Sequence, residues 1–207
     1  MSPQTIDVPP PPPTLPPSGR AYVPFPNMET RNGMHALIEV PLMLRALRVP
    51  RGGRALEIGC GRGVALPVLA ERLTPLALVG VDVDATALEA AAWRLRTARV
   101  AATLLEGDIR DLPLESASVD VVVDFGTCYH VSGGVEGARA ALREVVRVLR
   151  PGGLFVHETP VAQHLAHPVR SFGRTLPWGA VPGLVRDRSA LLWAARRKTT
   201  AARRADA

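Results

Sequence analysis

The chain has 207 residues, which is enough for one well-buried domain but short for two. It is 47% hydrophobic and 4% aromatic, and no apolar run approaches the roughly 20 residues that a membrane span requires. The formal charge of +6 lies almost entirely in residues 186–207, which carry seven basic and two acidic side chains, so the neutral body offers no basic face for nucleic acid.

The N-terminal residues are predicted to form a leader and a helical cap. Residues 1–18 include five consecutive prolines, and we expect a disordered proline-rich leader, with an adaptor ligand as the alternative. Residues 19–52 are expected to form an N-terminal helical cap, with a helix over 34–47 that bends near Pro41. No secretory signal precedes them, and Cys60 and Cys128 form no disulfide framework, so a cytoplasmic location is predicted.

Strands and helices are predicted to alternate from residue 53 onward. Apolar, β-branched stretches predict strands at 54–58, 77–81, 101–105, 119–123 and 154–157. Helical spacing covers 64–73, 86–97 (which Asp84 can cap) and 135–149. A last edge strand is predicted at 190–195. This alternation is typical of βαβ units, which form a parallel sheet covered by helices on both faces.

Acidic residues follow each of the five predicted parallel strands: Glu57, Asp82, Asp108, Asp124 and Glu158. In an open α/β sheet, ligands bind at the carboxyl ends of the strands, so these side chains are expected to share one edge. A phosphate-rich ligand prefers backbone N–H groups and cations. The acids therefore predict a ligand with hydroxyl groups, an amine or a positive charge.

The loop after the first strand carries glycines at alternate positions, Gly59, Gly61 and Gly63. The spacing is G-x-G-x-G with an acid two residues ahead, whereas the dinucleotide fingerprint is G-x-G-x-x-G. We expect the missing Cβ atoms to let a bulky ligand approach the backbone. Asp82 lies 19 residues beyond Gly63, where it can accept hydrogen bonds from the ribose hydroxyls of an adenosine.

Four stretches together resemble the class I S-adenosylmethionine-dependent methyltransferases: ALEIGCGRG, LVGVDVDATAL, LLEGDIRDLPLESASVDVVV and LREVVRVLRPGGLF. The resemblance covers about residues 53–158. It implies a Rossmann-like, doubly wound α/β fold with a mostly parallel seven-stranded sheet and helices on both faces. The expected domain then spans 53–198, with a basic tail at 199–207. The cap helix, through His35, Glu39 and Met43, is expected to act as a lid or to pack against the sheet.

The resemblance also implies that the cofactor is S-adenosyl-L-methionine. The residues expected to bind it are Glu57, Gly59, Gly61, Gly63, Asp82, Val83, Asp108, Ile109, Phe125 and Gly126. Asp82 would hold the ribose hydroxyls, and Val83 would pack on the adenine. Asp108 would accept from the adenine amino group, while the Ile109 backbone reads the ring edge. The glycine loop with Glu57 would face the methionine portion, and Phe125 and Gly126 would border its carboxylate and sulfonium.

Two residues are the candidates for catalysis. His130 lies in FGTCYHV after the fourth strand, and we expect it to act as a general base, with a structural role under the site as the alternative. Glu158 ends the fifth strand and is expected to orient the acceptor or to support its neighbours by hydrogen bonding. No metal is expected, because His164 and His167 have no clear third ligand.

The predicted function is methyl transfer to a small-molecule acceptor, at oxygen, nitrogen or carbon. The N-P-P-Y type tetrad typical of many amine methyltransferases of nucleic acids and proteins is absent, because DFGTCYH follows the fourth strand. Neither a nucleic-acid partner nor a membrane span is expected, and a homodimer stays open. The alternatives are a non-catalytic protein that binds S-adenosylmethionine and acts through a partner, and a nicotinamide oxidoreductase.

Overall fold

The structure is a computed structural model that describes residues 28–166, 176–178 and 181–200. The predicted leader, residues 1–18, lies outside the described residues, and so do residues 201–207 of the predicted tail. His167 lies outside them too. None of the helices within the described ranges is long and apolar enough to cross a membrane.

A seven-stranded sheet organises the domain. Its strands are β1 (Arg54–Ile58), β2 (Ala77–Asp82), β3 (Thr103–Glu106), β4 (Val119–Asp124), β5 (Leu149–Glu158), β6 (Leu184–Ser189) and β7 (Trp193–Lys198). The order across the sheet is β3-β2-β1-β4-β5-β7-β6. Strands β1 to β5 pair in parallel, whereas β7 is antiparallel to both β5 and β6. The predicted fold class is therefore confirmed.

Helices cover both faces of the sheet. They are α1 (Met28–Met34), a π-helical turn (His35–Glu39), α2 (Val40–Ala46), α3 (Leu66–Leu73), α4 (Ala85–Ala98), α5 (Thr127–His130), α6 (Gly134–Val148) and α7 (Pro160–Ala166). Asp84 caps α4 as predicted, because its carboxylate accepts from the backbone N–H groups of Thr86 and Ala87 at 2.9 and 3.2 Å.

Two apolar clusters pack on opposite faces of the sheet. Leu56 and Val122 belong to the cluster that contains Leu142 of α6. The neighbouring Val121 belongs to the other cluster, together with Met43 of α2. Because successive strand residues point to opposite faces, the central strands are apolar at nearly every position. This burial on both sides explains the β-branched runs that made the strands recognisable.

One sequence prediction about the periphery was wrong, and one strand was missed. The strand expected at the sheet edge over 190–195 is β7, which begins at Trp193 and lies inside the sheet, between β5 and β6. The edge strand β6 was missed because five of its six side chains are exposed, so it has no apolar alternation.

The predicted helix over 34–47 is interrupted by the π turn, which lies just before Pro41. Proline has no N–H, and the Val40 N–H bonds to the His35 carbonyl instead.

Candidate functional site

The carboxyl ends of four neighbouring strands meet at one edge of the sheet. The pairing aligns Ile58 of β1 with Val81 of β2 and with Asp124 of β4, and Asp124 with His157 of β5. Glu57, Asp82, Asp124 and Glu158 lie at or beside these positions. The structure therefore brings four of the five predicted acids to one cleft, while Asp108 follows the outer strand β3.

The three glycines of the loop serve different purposes. All three have positive φ angles, of +64° at Gly59, +50° at Gly61 and +66° at Gly63. A Cβ at Gly59 would collide with the Thr127 side chain, and one at Gly63 would lie 2.9 Å from the Ala91 Cβ. A Cβ at Gly61 would meet no described atom within 4 Å. Only Gly61 therefore faces open space, whereas the other two permit close packing within the protein.

Asp82 ties the end of β2 to the glycine loop. Its Oδ2 accepts from the Gly61 N–H at 2.7 Å, and its Oδ1 accepts from the Asp84 N–H at 3.0 Å. Each carboxylate oxygen retains a lone pair for a further donor. The adjacent Val83 is 62% exposed, although it is a large apolar residue. A carboxylate beside an exposed apolar face matches the needs of a ribose and its base.

Glu57 is the least satisfied group in the cleft. Its side chain is buried, and its Oε2 has no hydrogen-bond partner among the residues that the structure describes. Burial raises its pKa well above the usual range, and the nearby Asp82 and Asp124 raise it further. A buried acceptor of this kind calls for a donor or a cation from a ligand. The ammonium group of S-adenosylmethionine fits this requirement.

Asp108 is already engaged by a residue that the sequence analysis did not single out. The Arg110 Nε donates to its Oδ1 and Oδ2 at 2.9 and 3.0 Å, and the backbone N–H of Arg110 donates to Oδ1 at 2.8 Å. The guanidinium lowers the pKa of Asp108. An adenine amino group would share this carboxylate with Arg110. The side chain of Ile109 is buried in the core, which leaves its backbone as the part that can read a ring edge.

Phe125 and Gly126 connect β4 to the short helix α5. The Phe125 ring meets the His35 ring edge to face, with centroids 4.4 Å apart. Gly126 has a φ of +92°, and a Cβ there would collide with the amide of Gln163. Glycine at this position is therefore required by α7 as well as by the turn.

The N-terminal helical segment reaches the cleft and packs on the sheet at the same time. His35 is buried, and its Nδ1 lies 2.8 Å from Glu39 Oε2, which also pairs with Arg31 at 3.5 Å. Met43, two turns further on, is fully buried in the core. One end of this segment therefore packs in the core, as one of the two alternatives predicted, and the other end contacts Phe125.

His130 and Glu158 are joined by a side chain that the sequence analysis missed. Gln163 of α7 presents its Oε1 2.8 Å from His130 Nε2, and its Nε2 donates to Glu158 Oε2. Burial and the proximity of Asp124 raise the pKa of Glu158 to about 7. A glutamine on a seven-residue helix gives no distinct sequence signal. The two predicted catalytic residues therefore form one network.

The hydrogen bonds of Asp124 are to backbone groups of the protein. It is fully buried and accepts from the backbone N–H groups of Thr127 at 2.6 Å and Cys128 at 3.3 Å, so it caps α5. Burial raises its pKa to about 6. Its carboxylate holds the segment that carries His130 and contributes negative charge to the cleft.

Comparisons with known proteins find methyltransferases among the relatives of this chain. Residues 56–157 match the sequence model of the family described as methyltransferase domain. The phthiotriol/phenolphthiotriol dimycocerosates methyltransferase of Mycobacterium tuberculosis is 35% identical over 113 residues, which are 53% of this chain and 39% of the relative. The fatty-acid O-methyltransferase of Mycolicibacterium smegmatis is 32% identical over 106 residues, or 51% of this chain and 36% of the relative. The matches thus span little more than a third of these two relatives.

A solved structure extends the likeness to the fold. The crystal structure of an S-adenosylmethionine-dependent methyltransferase from Aquifex aeolicus superposes with a TM-score of 0.64 at 16% identity, covering 80% of this chain and 92% of that one. Residues 56–157 therefore belong to the methyltransferase domain family, and the structure has the fold of the S-adenosylmethionine-dependent methyltransferases. A relative from Mycolicibacterium smegmatis, 35% identical over 109 residues (53% of this chain and 38% of the relative), is described as a probable S-adenosylmethionine-dependent methyltransferase, in agreement with the cofactor that the sequence predicted.

Proposed function

We propose that the protein transfers a methyl group from S-adenosylmethionine to a small-molecule acceptor. The observation that carries the proposal is the buried Glu57 carboxylate, whose Oε2 has no partner in the described part of the chain and which lies at the foot of the glycine loop. A site built for a neutral or anionic ligand would not keep such an acceptor at this depth. A cationic, adenosine-bearing cofactor satisfies it.

The proposed cofactor-binding residues divide the ligand among four strand ends. Glu57 and the open space at Gly61 receive the amino-acid portion, and Asp82 with Val83 receives the ribose and the face of the adenine. Asp108 and the Ile109 backbone take the adenine edge. Phe125 and Gly126 border the carboxylate and sulfonium. The bound cofactor supplies a methyl group on a sulfonium cation, which the acceptor displaces directly.

The protein's own contribution is orientation, exclusion of water and removal of a proton. We place the His35–Phe125 ring contact beside the bound cofactor, where it would exclude water and help to align the reactants. An acceptor hydroxyl or amine must lose its proton as it is methylated. His130 is the proposed base for that proton, and Glu158 lies on the far side of the Gln163 amide, where it sets the charge around His130.

A lipid-like acceptor is the one that we favour. The names of the two mycobacterial relatives specify a dimycocerosate and a fatty acid as their substrates. On the N-terminal segment that reaches the cleft, Leu37 and Ile38 are 79% and 51% exposed. Apolar side chains in such positions suit an acceptor with a long hydrocarbon part.

We further propose that the chain divides into an N-terminal cap, residues 19–52, and a catalytic domain, residues 53–198.

The decisive experiment is turnover of S-adenosylmethionine with a labelled methyl group. The acceptor panel contains fatty acids, long-chain alcohols and alkyl phenols, together with short-chain analogues of the same functional groups as matched controls. We expect label to enter the long-chain acceptors, with a lower KM than for their short-chain partners. Intact cofactor binding with no labelled product from any acceptor would overturn catalysis and favour a binding module that acts through a partner.

A further inference from the structure

The Gln163 side chain bridges the two residues assigned to catalysis. It is 1% exposed, although it is polar and lies on the short helix α7. Its Oε1 lies 2.8 Å from His130 Nε2, while its Nε2 bonds to Glu158 Oε2. The absent Cβ at Gly126 provides the space that the amide occupies. Three elements therefore surround the amide: β5 through Glu158, α7 through Gln163 itself, and the turn before α5 through Gly126.

The charge on Glu158 decides which way the amide can face. An ionised carboxylate can only accept hydrogen bonds, so the amide must present its NH2 group to Glu158. Its oxygen then faces His130, and an oxygen can only accept. The His130 Nε2 must therefore carry a hydrogen, and in the neutral imidazole the unprotonated nitrogen is Nδ1.

We propose that Gln163 is a positioning residue that couples the charge of Glu158 to the tautomer of His130. This inference rests on the proposed role of His130 as the base. With Glu158 ionised, the amide holds His130 as the Nε2–H tautomer, so that in the neutral ring Nδ1 carries the lone pair that a base needs. With Glu158 protonated, its hydroxyl can donate to Gln163 Oε1. The amide is then free to turn and to donate to His130 Nε2.

The groups that face Glu158 place this change near neutral pH. Asp124 of β4 and Glu39 of the π turn disfavour the ionised carboxylate, as burial does, whereas Arg31 of α1 favours it. The Tyr129 hydroxyl of α5 donates to the Glu158 carbonyl at 3.4 Å. Burial, followed by Asp124 and Glu39, raises the pKa of Glu158 to about 7, although the hydrogen bond from Gln163 and the charge of Arg31 lower it.

The first test is made without cofactor or acceptor, so that it does not depend on the proposed function. In protein labelled with ¹⁵N-histidine at pH 8.5, long-range ¹H–¹⁵N spectra should show His130 as the Nε2–H tautomer, assigned by its loss in His130→Ala. The Nε2 proton should exchange slowly in the wild type, and at least tenfold faster in Gln163→Leu. Leu165→Ala, at an exposed position of the same helix, is the matched control and should keep the slow exchange.

The second test uses turnover. Gln163→Leu should lower kcat about tenfold and leave the donor KM unchanged. The double variant with His130→Ala should be no slower than His130→Ala alone, because the two residues act as a unit. In Glu158→Gln, which keeps the volume of a glutamate, the limb of the kcat profile near pH 7 should disappear. Circular dichroism of each variant establishes that it is folded.

Three results would overturn the coupling. They are an Nδ1–H tautomer in the wild type at pH 8.5, unchanged Nε2 proton exchange in folded Gln163→Leu, and additive losses in the double variant. If Gln163→Leu does not fold, the coupling is still rejected when Glu158→Gln keeps the limb of the kcat profile near pH 7. Unchanged turnover in His130→Ala would instead reject the base role, with the tautomer measurement still standing.

Discussion

Replacing Glu57 by glutamine is expected to stabilise the ligand-free protein and to weaken its hold on the cofactor. The carboxyl is buried, its Oε2 has no partner among the described residues, and its pKa is raised well above the usual range by burial and by Asp82 and Asp124. Glutamine has nearly the same shape and no charge to desolvate. The substitution therefore removes from the ligand-free folded state a buried group that destabilises it.

The size of the gain follows from the unpartnered carboxylate oxygen. A buried polar group without a partner costs about 1–3 kcal/mol. We expect the free energy of unfolding of Glu57→Gln at pH 7 to rise by about 1–3 kcal/mol, which corresponds to roughly 2–12 °C in Tm.

The stability gain should depend on pH in a definite direction. Because the pKa of Glu57 is raised on folding above its ordinary value of 4.5, the unfolded chain binds fewer protons than the folded one once the pH exceeds that value, and the free energy of unfolding of the wild type then falls as the pH rises. The difference between Glu57→Gln and the wild type should therefore be small near pH 5 and larger near pH 7.5.

Urea unfolding at the two pH values measures the stability, and calorimetry with S-adenosylhomocysteine measures the hold on the cofactor. Loss of one charge-assisted bond to the ligand ammonium should weaken binding roughly 10- to 150-fold. Glu71→Gln, at an exposed carboxylate on α3, is the matched control and should change neither quantity. A Glu57→Gln protein that is less stable than the wild type, or that binds equally well, would refute the reasoning.

Three further predictions address the other parts of the cleft. Asp82→Ala should weaken S-adenosylhomocysteine binding at least tenfold in calorimetry, because ribose donors lose their acceptor; equal affinity would exclude the ribose assignment. Gly59→Ala should lower the free energy of unfolding in urea by about 3 kcal/mol, through its clash with Thr127, whereas Gly61→Ala should cost about 1 kcal/mol and mainly weaken ligand binding; equal costs would contradict this division. His130→Ala should lower kcat about 100-fold while cofactor affinity stays within twofold; full turnover would leave His130 a structural role.

The sequence was sufficient to predict the centre of the sheet. Strands such as β4 are buried on both faces, so their residues are apolar and β-branched at nearly every position, and the signal is strong. The sequence also predicted that the acids at the strand ends lie together, because parallel strands bring their carboxyl ends to one edge of the sheet. Glu57, Asp82 and Glu158 accordingly lie where the pattern indicated.

The parts that the sequence did not reveal depend on tertiary contacts. The edge strand β6 owes its conformation to pairing with β7, and its exposed side chains carry no periodic pattern. The role of Gln163 becomes visible only when α7 packs against Gly126 and His130. The role of Arg110 becomes visible only through its hydrogen bonds to Asp108. Gly59 and Gly63 were expected to make room for a ligand, but their neighbours are protein atoms.

The most direct test of the central claim is a calorimetric comparison of two ligands with the purified full chain. The account predicts that S-adenosylhomocysteine binds at one site per chain and that NADH does not bind, because the carboxylates at Glu57 and Asp82 suit an ammonium and a ribose but repel a pyrophosphate. Binding of NADH with none of S-adenosylhomocysteine would contradict it.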